Sequence, residues 1–527
     1  MKETRTTLAF GGAALALLGL TLLTAPRHRP AEVFSDQGTV FYPDFKDPLK
    51  AASLEVVEFD ESTATPRRFH VQFLGGRWVI PSHHNYPADA KDRLVKTAAA
   101  VIDLVREKFR SDNPKDHEAF GVVDPADEKV SGTRGRGKRV ILRDLDGKVL
   151  ADFIFGKEAG EGRRFVRLPG QKRVYETRTK AEISARFEDW IETDLLQLSQ
   201  SAVRRIIIDR YSIDEQQLLS RGILVIKDRT TTTLAREDST KPWTVSGMKE
   251  NEEPHGDAIS QMLNALDDLK IVGVRPKPPF LTKDLKASGE FKVRDRLTPQ
   301  QMASLQSLQQ KGFFVVPQGE ESLVLSNEGD ITVSCDDGVV YTLRFGEVIV
   351  GEGEEITAGA GEDKKEEKKD EKKGGKENRY LLVTARFDES LLGPPPAEPK
   401  PPAGYKPEDK KDDKKEGEKK QDPPEVEKYK KEKEEYDRKK QEYERKVSDG
   451  KKRAQELTDR FAEWYYVISD DLFKKLRRDP KELVKPKEEK KEGEPKTDGP
   501  KEDGKKPEEK KPEDKKEPGK NPEEKKP

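Results

Sequence analysis

The sequence predicts an α+β protein. It reads as an N-terminal transmembrane helix, then two tandem α+β units with largely antiparallel sheets, a charged helical arm and a disordered C-terminal tail. Three observations predict this. Residues 8–25 form an uncharged apolar run, and about 20 such residues cross a bilayer. Short apolar segments bounded by turn residues recur at hairpin spacing, with amphipathic helices between them. Charged residues make up 39% of the 527 and apolar residues 32%. An average domain has about 25% and 45–50%, so part of the chain cannot bury a core.

Lys2 and Arg5 precede the apolar run, which ends Leu23-Thr24-Ala25-Pro26. A proline just after the cut would make a poor cleavage site. Residues 1–30 are therefore expected to be an uncleaved anchor, with a cleaved signal as the alternative. The flanking charges do not set the orientation, because Arg27 and Arg29 answer Lys2 and Arg5. The early position of the run favours export, which puts the body on the periplasmic side of a single-pass protein in the cytoplasmic membrane. The membrane, met through residues 8–25, is the one partner read directly from composition. Net charge is -1, so no global field draws the chain to nucleic acid. Cys335 is the sole cysteine, which excludes an intramolecular disulfide and any cysteine-based zinc or iron–sulfur site. It is expected as a small buried hydrophobe on a strand at 331–335.

Residues 31–52 read as a stalk, and 53–200 as the first unit. Its strands are expected at 53–59, 69–73 and 77–80, the last carrying Trp78. A helix is expected over 87–109, where Leu94, Ala98, Val101, Ile102, Val105 and Phe109 share one face. Strands follow at 139–143, 149–155, 164–168 and 173–176, then a closing helix at 180–198. The order repeats in the second unit, 201–477. Strands fall at 203–209 and 222–227, and Trp243 answers Trp78. A helix over 257–270 places Ile259, Met262, Leu263, Leu266 and Leu269 on one face. Residues 337–346 match 146–156, and 379–383 answer 164–168. The strand 464–469 and helix 470–476 answer the close of the first unit. The tryptophans are expected as core anchors.

The second unit carries charged inserts at 362–376 and 394–460. Of these, 362–376 and 394–424 are expected to be mobile loops. Residues 425–460 are helical in composition. Val426, Tyr429, Tyr436, Tyr443, Val447, Ala454, Leu457 and Phe461 fall at a and d of a heptad, but Lys433 and Lys440 occupy other a positions and Asp449-Gly450 interrupts. A weak coiled coil and a solvated charged helix both fit. Residues 478–527 form a tail of Lys, Glu, Asp and Pro. From 479 it holds 16 lysines against 16 acids, a balance that argues for a disordered segment and against a nucleic-acid tail.

No catalytic, cofactor-binding or metal-ligating residue is assigned, and no enzyme activity or cofactor is expected. Residues 132–139, Gly-Thr-Arg-Gly-Arg-Gly-Lys-Arg, approach a phosphate-binding loop. However, Arg139 stands where a magnesium-ligating hydroxyl is required. A mobile basic loop is expected there. His83 and His84 are adjacent with Asp89 nearby, but neighbouring side chains on an extended segment point opposite ways, so they do not form a chelate.

Trp78 and the helix after it, 120–125 (Phe-Gly-Val-Val-Asp-Pro), Gly156-Lys157, 165–167 and 174–176 together resemble the bacterial "domain of unknown function 4340" family. In the second unit 312–315, 326–329 and 337–348 resemble it as well. The likeness covers most of 50–477 outside the inserts, and the charged tails are similar to those of planctomycete members. The resemblance implies a membrane-anchored extracytoplasmic α+β protein. It also implies ABC transporter subunits of export or gliding systems, or other envelope proteins, as partners. It brings no catalytic residues. The alternative is an envelope ligand-binding protein or enzyme with its site between the two units.

Overall fold

A computed structural model describes residues 11–18, 20–21, 36–61, 64–130, 132–179, 181, 183–221, 223–285, 298–318, 321–351, 353–359, 375–403 and 423–487. Of the apolar run, only 11–18 and 20–21 are described, and they are helical and exposed. Among the described residues no helix is long and apolar enough to cross a membrane. The rest of the run, nearly all of insert 362–376, residues 404–422 and residues 488–527 lie outside the described residues.

The fold is mixed α+β, built on two antiparallel sheets. The first contains β1 (Ser53–Asp60), β2 (Thr65–Leu74), β3 (Arg77–Ile80), β4 (Tyr86–Pro87), β5 (Lys108–Ser111), β6 (Lys138–Arg143), β7 (Val149–Gly160), β8 (Arg163–Arg167) and β9 (Val174–Arg178). The second contains β10 (Val203–Ile213), β11 (Ile226–Ala235) and β12 (Thr244–Val245). After a short strand, β13 (Glu252–Pro254), it takes β14 (Gly273–Pro276). A separate hairpin of β15 (Phe313–Gln318) and β16 (Glu321–Ser326) comes next. The second sheet then takes β17 (Asp330–Cys335), β18 (Val339–Val350), β19 (Glu377–Phe387) and β20 (Trp464–Ser469). The last strand, β21 (Val484–Pro486), pairs with β13.

The spatial orders are β4-β3-β2-β1-β6-β7-β8-β9-β5 and β12-β11-β10-β17-β18-β19-β20-β14. Apart from β4, the two sheets correspond strand for strand. In each, one helix carries the chain from one edge to the other: Lys91–Ile102 in the first and Gly256–Asp267 in the second. The registers correspond too. Leu54 and Val56 on β1 face Val71 and Phe69 on one side and Leu142 and Val140 on the other. Ile206 and Ile208 on β10 face Leu234 and Thr232, then Val333 and Ile331.

Alternation along the strands directs these residues inward. Leu54, Val56, Ile206, Ile208, Leu381 and Val383 join one continuous apolar core with both helices. The second sheet is also covered on its other face. Tyr380, Leu382, Tyr465 and Val467 pack there with Leu305, Leu308 and Phe313, supplied by the helix Pro299–Gln310 and the β15–β16 hairpin.

The structure corrects several expectations. Residues 187–198 are not a helix beyond a single 3-10 turn, Phe187–Trp190. Phe187, Trp190, Ile191, Leu195, Leu196 and Leu198 are all buried and belong to the core the two sheets share. The segment reaches the surface only at isolated points such as Glu192 and Gln197, and its backbone groups bond to both sheets' elements instead of to one another. The helix expected to reach residue 109 ends at Ile102, and Phe109 instead lies on edge strand β5 opposite Tyr175. The stalk is part of the body from residue 36 on: Phe41 and Phe45 are buried, and Phe41 meets the Phe153 ring edge-on at 5.5 Å. The tail likewise starts later than 478, because Leu483 is fully buried and its carbonyl accepts from the His255 backbone N–H.

Residues 394–403 are described and tied to the arm by an ion pair between Glu398 and Lys433. The arm is one continuous 38-residue helix, Pro424–Phe461, and Asp449-Gly450 does not interrupt it. Gly450 is buried, and a Cβ there would lie 2.3 Å from the Asp337 carbonyl and 2.5 Å from the Phe387 ring. The missing side chain lets the helix approach the β17–β18 turn.

In an exposed helix, Gly→Ala stabilises by about 0.5–1 kcal/mol. Gly450→Ala is expected to do the opposite and cost about 1–3 kcal/mol through overpacking. Urea unfolding of the variant checks this, and a raised midpoint would contradict the close approach.

Candidate functional site

A cleft lies at the seam between the sheets. Its volume is about 870 Å³. The β3–β4 hairpin contributes Arg77 and Tyr86, and the chain after β4 contributes Asp89. The connecting segment contributes Glu192. The far wall is Lys283, then Glu456, Asp459 and Arg460 from the end of the long helix, then Glu463 and Trp464. Tyr86 and Trp464 meet edge to face at 5.0 Å, so an aromatic pair lies among ionised groups. Most of those charges already have partners. Lys283 pairs with Asp459. The Arg460 guanidinium donates to the carbonyls of Glu192 at 3.0 Å and Asp194 at 2.7 Å. The Glu192 carboxylate accepts from the Asp194 N–H.

The lining contains no Ser, Cys or His. The cleft has the mixed apolar and polar character of a ligand pocket. Behind its wall lies Lys277, whose ammonium donates to the Phe461 carbonyl at 2.8 Å. Burial pushes its pKa down to about 7. Nothing in the sequence signals it among 101 basic residues.

The histidine pair occupies another part of the seam. It sits on the turn between β3 and β4, where His84 and Asn85 both take left-handed backbone angles. His84 Nε2 donates to the Ala358 carbonyl at 2.7 Å. His83 Nε2 lies 2.9 Å from the Thr357 hydroxyl, and its Nδ1 lies 3.0 Å from the Ser82 hydroxyl. The His83 ring stacks on Phe187 at 4.2 Å. The two imidazoles thus latch the first sheet to the segment after β18. Burial, helped by the charges of His84 and Arg275, drives His83 down to about 3. So weak a base cannot take a proton near neutral pH, which with its bonds to Thr357 and Ser82 assigns His83 to structure. Asp89 lines the cleft and is not part of the latch. Among the described residues no group of three or more His, Cys, Asp or Glu is placed to hold a metal.

The glycine-rich segment is not a mobile loop. Arg136 donates to the carbonyls of Asp124, Pro125, Asp127, Val130 and Gly132, and its guanidinium lies 4.2 Å over the Phe59 ring. Gly135 has φ +70°, and a Cβ there would lie 2.5 Å from the Glu118 carbonyl. Gly135 and Gly137 serve packing, whereas Gly132 faces open space. Cys335 is buried, with its thiol pushed up to about 12. Trp190 and Trp464 are fully buried, while Trp78 and Trp243 are half-buried against the core edge.

The histidine pair, the glycine-rich segment and the connector fall within a recognisable stretch, and the cleft's far wall from Glu456 to Trp464 lies outside it. Residues 78–289 match the family model described as Domain of unknown function (DUF4340). The DUF4340 stretch runs from β3 through the latch and the buried connector to the helix Gly256–Asp267 and β14, so it spans the seam. No curated protein and no solved structure matched the chain.

The latch predicts an acid-sensitive body. His83 is neutral when folded and has an ordinary pKa near 6.5 when unfolded. Its contribution is fully present above about pH 6.5. It is lost as pH falls toward 3, because the unfolded chain takes up the proton first, with a slope of up to about 1.4 kcal/mol per pH unit. His83→Gln should flatten the stability–pH curve over that window in denaturant titrations. Parallel curves for variant and parent would refute the assignment.

Proposed function

We propose that this protein is a membrane-anchored extracytoplasmic scaffold, a non-enzymatic accessory to an ABC-type export or gliding system of the cell envelope. The observation that carries the reading is the structural use made of polar side chains in the body, some buried, such as Arg379, Asp470 and His83, and others half-buried or exposed. Each of the following joins one element to another. Arg379 pairs with Asp470 at 2.7 Å and holds the helix Asp470–Leu476 against β19. Arg139 grips Asp152 and Asp124. His83 and His84 close the seam.

Two further features support the reading. The apolar run 8–25 has the composition of a signal-anchor, which in this reading holds the body on the periplasmic side. The long helix, ~57 Å at 1.5 Å per residue, is exposed over most of its N-terminal half and suits a spacer or contact arm. A second reading, an envelope ligand-binding protein or enzyme, is favoured by the seam cleft with its Tyr86–Trp464 pair.

Affinity purification of the full chain from detergent-solubilised membranes tests the first reading. Enrichment of an ABC permease together with its ATPase is the expected result. Failure to enrich any transporter or envelope subunit after crosslinking in cells would overturn it. A small molecule that raises the melting temperature of the parent but not of Trp464→Ala would favour the second reading instead.

A further inference from the structure

The segment after β19 and the first half of the long helix carry two matching half-buried stripes. Residues 391–403 read Leu-Leu-Gly-Pro-Pro-Pro-Ala-Glu-Pro-Lys-Pro-Pro-Ala. Within them Pro396, Pro399 and Pro402 are half-buried, and the residues on either side of each are exposed. A burial period of three is that of a polyproline II helix, which has three residues per turn and so presents one edge. On the helix, Tyr429 is buried and Tyr436, Tyr443 and Lys433 are half-buried on one face, with exposed residues on either side of the last three.

One ion pair joins the strap to the helix stripe, and two contacts of Glu389, in the 3-10 turn just before the strap, hold its start beside the same helix. The Glu398 carboxylate meets the Lys433 ammonium at 2.5 Å. The Tyr443 hydroxyl donates to Glu389 at 3.3 Å, and Lys451 lies 3.7 Å from the same carboxylate. Residue 389 therefore lies beside 443–451 and residue 398 beside 433, which makes the strap antiparallel to the helix. Proline-rich segments bind aromatic-lined surfaces because their backbone is already extended and loses little entropy.

We propose that the Tyr429/Tyr436/Tyr443 face is a recognition surface for polyproline II segments of partner proteins, covered in the resting chain by its own strap, residues 394–403. The partner segment carries a proline at every third position and an acidic residue just before one of them, placed to meet Lys433. Displacing the strap exposes the surface, so the strap is an intramolecular competitor.

The test uses the full chain and a fluorescent peptide of sequence 391–403. In the triple variant Pro396→Ala, Pro399→Ala, Pro402→Ala the strap is weakened, and the peptide should bind saturably. The parent should bind at least about tenfold more weakly, because its tethered strap competes at high effective concentration. Tyr436→Ala with Tyr443→Ala in the triple variant, and a peptide with scrambled proline spacing, should each abolish binding while circular dichroism reports an intact helix. Three results would overturn the proposal: no saturable binding to the triple variant with its helix intact, equal binding by parent and triple variant, or binding insensitive to the tyrosines. Dimerisation of the parent that disappears in the triple variant would overturn the partner assignment and give the surface to the strap of a second copy.

Discussion

The body depends on burying the connector between its two sheets. From Phe187 to Leu198 the chain runs through the core that the sheets share, and six of its side chains are buried there. Burial of each contributes roughly 1.5–3 kcal/mol. It also creates an obligation, because every buried backbone carbonyl needs a donor. Those donors come from both sides. The Asp89 N–H, in the first unit, bonds the Trp190 carbonyl at 2.8 Å. From the second unit the Ile271 N–H bonds the Thr193 carbonyl at 2.9 Å, and the Tyr341 hydroxyl bonds that of Leu196 at 3.0 Å. Arg460 takes the carbonyls of Glu192 and Asp194, and Arg453 that of Gln197. Separating the sheets would strand the Trp190 and Leu196 carbonyls, whereas Glu192 and Gln197 lie at the surface.

That constraint organises the seam. The cleft exists where the connector turns outward at Glu192, and Arg460 shapes it only because the Glu192 and Asp194 carbonyls hold its guanidinium. On another side the histidine latch closes over Phe187, the first residue of the same connector. The long helix reaches the body through Gly450, Ala454, Leu457 and Phe461, and the arginines that bond the connector, 453 and 460, lie on this stretch. The arm and the seam are therefore mechanically joined: a pull on the arm acts on the groups that hold the two sheets together.

Much of the fold was legible from periodicity. β1, β3, β6 and β20 lie within a residue of where short apolar runs between turn residues predict them, and the helix Gly256–Asp267 buries the face its spacing indicates. The connector was misread for a physical reason. Residues 187, 190, 191, 195, 196 and 198 are apolar because core surrounds the chain on several sides, yet their spacing imitates one helical face. The helix before β5 was overextended in the same way: Phe109 continued the 3.6-residue period by chance, while its burial comes from packing near Tyr175 at 6.3 Å. For the site, the sequence excluded a histidine chelate, since adjacent side chains diverge. It could not show that both rings bond residues 274 positions away. Gly450 looked like a helix breaker because sequence registers its cost in a helix but not the carbonyl that it lets come close.

The central claim is that the buried connector makes the two sheets one cooperative unit. Differential scanning calorimetry of the full chain in detergent tests it most directly, because separate units melt separately while a shared core melts once. The account predicts a single transition whose calorimetric and van't Hoff enthalpies agree, and Leu196→Ala should lower it as a whole. Two resolved transitions, with Leu196→Ala moving only one of them, would contradict it.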